Sequence, residues 1–174
     1  MKQTSVNRMV KGAMIAALYV ALGVVFAPIS FRAVQMRVAE ALTLLPVISP
    51  AAIWGVTLGC AVTNGVGAAT GTNFLGLVDL PVGTAATLLA AITSRLLGKI
   101  RFGGVPWLSA LPPILFNAVA IGVEWCYAAT GSINVAFWAF AGQIALGQLP
   151  PCLLGVWLIH LLERRGLQNI IEGK

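Results

Sequence analysis

The run Phe31-Arg32-Ala33-Val34-Gln35-Met36-Arg37-Val38-Ala39-Glu40-Ala41-Leu42-Thr43-Leu44-Leu45-Pro46 sets three charges, Arg32, Arg37 and Glu40, beside and partly within an apolar segment. Arg37 and Glu40 are three positions apart, so on a helix they share a face and can pair, which lowers the cost of holding charge near lipid. Such a pair either braces the junction between two membrane helices or stands at a functional site, and spacing leaves both open. Read as a short crossing within Val34 to Ile48, ending near the Ser49-Pro50 turn, this stretch brings the number of membrane passes to six.

Composition explains why passes are counted at all. The chain has 174 residues, of which 59% are hydrophobic and only 9% charged, with a mean hydropathy of +0.92; too few polar groups remain to cover a water-soluble globule. A crossing takes about 20 apolar residues, so this length holds about six helices and little else. The expected fold is all-α: a polytopic membrane bundle of six transmembrane helices forming one integral domain over residues 1–174. No room is left for a soluble catalytic or nucleotide-binding domain. The net charge of +6 sits in short flanks between apolar runs, a topology signal rather than a nucleic-acid surface.

Helix 1 is expected from about Met9 to Ala27, retained rather than cleaved as a signal peptide, and stopped by Pro28. Helix 3 runs from about Ala51 to Ala68, with Gly55 and Gly59 giving it a small face for close packing. Ala69 to Val78 reads as a loop, followed by helix 4 from Asp79 to Leu97. Helix 5 begins near Pro106-Trp107 and reaches Tyr127, with a kink or late start at Pro112-Pro113. Helix 6 spans about Val135 to Leu162 and has the length to tilt or break at Pro150-Pro151. The two halves share no repeat, unlike a duplicated secondary transporter. Six passes put both termini on one side, together with Lys2, Arg8, Lys11, Arg95, Lys99, Arg101, Arg164, Arg165 and Lys174, and leave only Arg32 and Arg37 on the other. The positive-inside rule makes the termini cytoplasmic and places the Arg32 to Glu40 stretch at the external face of the plasma membrane.

With that topology, Glu40, Asn64, Asp79, Glu124, Trp125, Trp138 and Gln143 fall in the outer half, with Asn117 and Gln148 nearer the middle. Intramembrane acids are costly and face cavities or partners rather than lipid, so a polar, outward-facing pocket is expected. Asn117 and Glu124, seven apart, share one face of helix 5; Gln143 and Gly147 share a face of helix 6. A carboxylate with amides suits a planar base presenting adjacent N–H donors. Trp125 or Trp138 either stacks on such a ring or joins Tyr127 in an interfacial aromatic belt. Asp79 also suits a helix N-terminus for purely structural reasons. His160 stands alone as an interfacial polar residue. Cys60, Cys126 and Cys152 are scattered singly, without metal or redox spacing, and read as packing residues. No protease, esterase or ATPase motif occurs, so neither catalytic residues, a metal nor a cofactor is expected. Ala13, Ala17 and Ala21 recur every fourth residue of helix 1, a smooth stripe for helix docking, whether within the chain or on a partner.

The segment Gln35 to Pro46, the Gly55 to Asn64 segment, and Leu75-Gly76-Leu77-Val78-Asp79 followed by Gly83-Thr84-Ala85-Ala86-Thr87-Leu88-Leu89-Ala90-Ala91 resemble the QueT family of queuosine-precursor transporters over nearly the whole chain. The resemblance implies a substrate-binding S component of an energy-coupling factor (ECF) transporter, not an enzyme, capturing a 7-deazaguanine such as preQ1 or queuine outside the cell. It further implies docking through Ala13, Ala17 and Ala21 on one transmembrane coupling protein and two ATPase subunits, and a pocket-closing loop after helix 1, here Phe31 to Gln35. Substrate-binding candidates are Glu124, Asn117, Gln143, Glu40, Asp79, Trp125, Trp138, Arg37 and Asn64. The competing expectations are an S component for another vitamin or nucleobase, and a self-sufficient carrier or channel using Glu40, Asp79 and Glu124 as a relay.

Overall fold

The computed structural model describes residues 2–30 and 35–166. Its long helices are α1 (Lys2–Val25), α3 (Ala51–Ala69), α4 (Asp79–Leu97), α5 (Leu111–Thr130) and α6 (Ala136–Arg164), with a one-turn α2 (Ala27–Ser30) after the first. All five are long and apolar enough to cross a membrane. Two 3-10 segments, Val38–Val47 and Trp107–Ala110, complete the described helices.

The expected second helix takes an unusual form. Val38–Val47 is a 3-10 helix of 10 residues containing Pro46, and at a rise of roughly 2.0 Å per residue it covers about 20 Å. Residues 35–37 lie outside any helix, with Arg37 extended, and at roughly 3.3 Å per residue they add about 10 Å. The sum matches a hydrocarbon core of about 30 Å. Seven of its ten residues are buried and the other three half-buried, and it touches α1, α3, α4 and α6. It is a central strut, apolar on all sides except at Glu40 and Thr43, which is how a segment enclosed by other helices reads.

Glycine packing shows that this strut recrosses the bundle. A Cβ on Gly55 would lie 2.7 Å from the Gly12 carbonyl oxygen, one on Gly59 would lie 2.6 Å from Tyr19 Cβ, and one on Gly23 would collide with Thr63. The order 12–55, 19–59, 23–63 runs the same way along both helices, so α1 and α3 are parallel and the chain between them must return through the bundle. By the same logic α5 and α6 are antiparallel, with Gly122 against Ala141. Six passes result, five by long helices and one by the strut, and the two ends of the described chain lie at the same end of the bundle. That end carries Arg95, whose Nη1 donates to the Pro46 carbonyl at 2.6 Å, and the pair Arg101–Glu163. Arg32 and Lys174 lie outside the described residues.

Proline acts differently in the two helices that contain a pair. Pro112 and Pro113 sit in the first turn of α5, which starts late at Leu111 after the Trp107–Ala110 turn; the N–H groups they lack would have been unpaired there in any case. Pro150 and Pro151 sit inside α6, which runs on without a break. The helical ladder therefore supplies no donor for the carbonyls of Leu146 and Gly147.

Candidate functional site

The buried stripe of α5 includes Asn117 and Glu124, and that of α6 includes Ala141, Ile144, Gly147, Gln148, Pro151 and Cys152. These stripes face each other through the Gly122–Ala141 contact. In an antiparallel pair a step down α5 matches a step up α6, so Asn117 stands near the level of Gln148. Gln35 reaches the same level, because its backbone lies 2.6 Å from the Cβ position of Gly147; any side chain at 147 would push the start of the strut away. Gln35, Asn117 and Gln148 are buried, yet Gln35 Oε1 and both polar atoms of the other two amides have no hydrogen-bond partner. Buried polar atoms are ordinarily paired, and each unpaired one costs about 1–3 kcal/mol. Three such amides lie near one level of the bundle.

Toward the end away from the termini lies a second group. Arg37 Nη2 donates to Asp79 Oδ2 at 2.7 Å and to Asn64 Oδ1 at 3.2 Å. Asn73 Nδ2 donates to the same Asp79 oxygen at 2.8 Å, and Asn64 Nδ2 donates to the Asp79 carbonyl at 2.9 Å. This ties the strut, α3, the 70–78 loop and the first turn of α4 into one knot. Gly83 makes it possible, since a Cβ there would collide with Asp79 Oδ1 and lie 2.7 Å from Asn64 Nδ2. Glu124 lies within electrostatic reach of Asp79 and Arg37, but neither of its carboxyl oxygens has a hydrogen-bond partner. It faces a cleft of about 480 Å³ between α4 and α5, bounded by Phe74, Leu75, Val78, Val82 and Val123. Beside it, Trp125 stacks on Phe74 with centroids 5.0 Å apart and planes 15° from parallel, and on Phe140 at 6.3 Å; its buried Nε1 has no acceptor.

Other expected members are placed elsewhere. The ion pair of Arg37 is with Asp79 rather than Glu40, because Arg37 is extended and precedes the 3-10 helix, so the i, i+3 spacing no longer sets it on the face of Glu40. Glu40 is fully buried at the level of Tyr19 and Gly59, midway along α3 rather than at the mouth, and accepts from Tyr19 Oη at 2.8 Å and Thr43 Oγ1 at 2.7 Å. Gln143 is exposed, one position off the buried stripe of α6 and so rotated out of the interior. Trp138, at 75% exposure, lies on the outer face and packs edge-on against Phe137. Neither joins the interior group. Ala13, Ala17 and Ala21 are all exposed along α1, whose other side packs on α3. Residues 31–34 of the expected closing loop lie outside the described residues.

Gln148 and Gln35 were not marked as site residues by sequence, and neither were Tyr19, Asn73 and Phe74. One signal was available for Gln148: it is seven positions after Ala141, two turns along the stripe that meets α5, and next to a proline pair that frees backbone carbonyls.

The QueT transporter family model matches residues 9–164. The chain belongs to that family. No curated protein and no solved structure matches it. As a QueT-family protein it is a component of a membrane transporter rather than an enzyme, and the match includes every helix of the bundle and every group described above.

Proposed function

We propose that this QueT-family chain is the substrate-binding S component of an ECF-type transporter and that it captures a queuosine precursor, a 7-deazaguanine such as preQ1 or queuine, from outside the cell. The reading is supported by the unpartnered buried groups: Gln35, Asn117 and Gln148 where α5, α6 and the strut meet, and Glu124 at the cleft between α4 and α5. A flat, hydrogen-bonding heterocycle satisfies amides and a carboxylate together, and the smallest such cargo has about a dozen heavy atoms, so tight binding demands near 1 kcal/mol from each and an enclosed, preorganised site. The basic end of the bundle, and with it both termini, is cytoplasmic by the positive-inside rule. The exposed stripe Ala13, Ala17, Ala21 then offers the coupling protein a smooth helix face, with two ATPase subunits driving release.

A carrier working alone through Glu40, Asp79 and Glu124 has less support: Asp79 is held by Arg37 and Asn73, and Glu40 by two hydroxyls, so two of the three relay groups are already engaged. The test is thermal unfolding of the purified chain in detergent with preQ1, queuine and guanine. Stabilisation by a deazaguanine is expected; no effect from any of the three would discard the cargo. Copurification with coupling-protein and ATPase subunits, lost in Ala17→Trp while cargo binding survives, tests the partners.

A further inference from the structure

We infer that the site has two chemically distinct ends, a neutral amide floor of Gln35, Asn117 and Gln148 that takes a lactam-type edge of the cargo, and a single acidic end at Glu124 that takes a cation. The inference rests on the proposed cargo class and adds which end of the cargo goes where and which charge state is taken up.

Charge bookkeeping among the described residues gives the acidic end. Four carboxylates are described. Glu163 is bidentate with Arg101, Asp79 is paired with Arg37, and Glu40 accepts from two hydroxyls. Glu124 has no hydrogen bond on either oxygen and is 8% exposed. A carboxylate in such a position requires a cation or a proton. Asp79 Oδ1, also buried and unpartnered, and the Arg37 guanidinium both stand within electrostatic reach of Glu124; Arg37 is paired with Asp79, so this group of three keeps one net negative charge.

The floor differs in kind. Asn117 and Gln148 each keep a free donor and a free acceptor, and Gln35 keeps a free acceptor. A side-by-side N–H and C=O, the pattern of a lactam or a pyrimidinone edge, matches an amide of this sort twice over. The free atoms of these three amides have no bonded partner, charged or otherwise. Asn117 and Glu124 are two helical turns apart on one face, which separates the ends by about 10 Å along the helix axis. A fused bicyclic ring with a one-carbon ammonium arm closes a gap of that order when hydrogen bonds form at both ends. The reverse pose, with the ring edge on Glu124, would leave the ammonium against neutral amides and Glu124 with only Arg37, itself paired with Asp79, within electrostatic reach.

A matched pair of probes tests this in the full-length chain in detergent: 7-deazaguanine carrying an aminomethyl group, which is a cation, and the same ring carrying a nitrile, which is neutral. The wild type is expected to bind the cation about tenfold or more tightly, as a charge-assisted contact implies. Glu124→Gln is expected to collapse that ratio toward one, Glu124→Asp to retain it, and Gln148→Leu to weaken both probes while keeping it. Equal binding of the two probes by the wild type, or a ratio unchanged in Glu124→Gln, overturns the two-ended site while leaving the cargo class standing. Failure of both probes to bind overturns the cargo class and the pose with it. The wild-type ratio is decisive even if a variant does not fold.

Discussion

The hydroxyl of Tyr19 on α1 donates to Glu40 Oε1 on the central strut at 2.8 Å, with both residues closed to solvent. The bond joins the first pass to the second at mid-bundle, and Thr43 one turn further along satisfies the other carboxyl oxygen. Tyr19→Phe removes the donor and keeps the ring that packs on Gly59. A loss of about 1–3 kcal/mol in unfolding free energy is expected, the cost of leaving a charged acceptor short of one partner. Denaturant titration in detergent reads it, and no change would mean that Glu40 finds another donor.

Arg37→Met should cost more. It strands Asp79, and breaking one side of a buried pair typically costs about 3–5 kcal/mol. Arg37→Met with Asp79→Leu is expected to recover part of that loss, because neither charge then remains buried alone. A double variant as unstable as the sum of the single ones would show that the two positions act independently.

Gly55 and Gly65 on α3 make opposite predictions for the same change. Gly55→Ala brings a methyl group 2.7 Å from the Gly12 carbonyl oxygen and should destabilise by about 1–3 kcal/mol by prising α1 from α3. Gly65→Ala meets Leu80 Cδ1 at an ordinary 3.5 Å and should stabilise by about 0.4–1 kcal/mol through the unfolded state. Melting temperatures of the two variants, measured side by side, decide it.

Phe74→Ala removes the ring that stacks on Trp125 beside the cleft containing Glu124. Cargo dissociation is expected to quicken by roughly threefold to tenfold, the equivalent of an aromatic pair worth about 0.5–1.5 kcal/mol, with little change in unfolding because Phe74 is largely exposed. Stopped-flow release of a bound deazaguanine provides the measurement.

The surface pair Arg101–Glu163 should matter least. It is bidentate, but its members are 33% and 20% exposed, so Arg101→Ala is expected to cost about 1 kcal/mol or less and to lose even that at high salt.

Much of this was legible in the sequence because lipid imposes strict rules. Run length and the distribution of Lys and Arg determine passes and their grouping, and Asp79 to Leu97 was placed to the residue since an acid at the start and a basic exit bracket one apolar run. The strut defeated the helical reading: Arg37 and Glu40 share a face only if both lie in the helix, and Arg37 is extended just before it; a segment enclosed by four helices owes its form to them rather than to its own periodicity. Gln143 was grouped with the site by depth and by the face it shares with Gly147, and Trp138 by depth and its ring; depth reports height in the membrane, and a shared face four residues wide leaves Gln143 exposed at the edge of the stripe that buries Gly147. Glu124 and Asn117 were found because helix 5 is regular, and a two-turn spacing survives translation into three dimensions.

A ten-residue 3-10 segment carrying a buried Glu40 also depends on its neighbours for its place in the membrane. It has far fewer than the roughly 20 apolar residues of an ordinary helical crossing, and its carboxylate adds about 2.5–3.5 kcal/mol at the bilayer centre. Tyr19 and the surrounding helices must be present before that burial becomes favourable. The burial of the second crossing therefore depends on α1, α3, α4 and α6 standing around it, so it is stable as part of the bundle and not by itself.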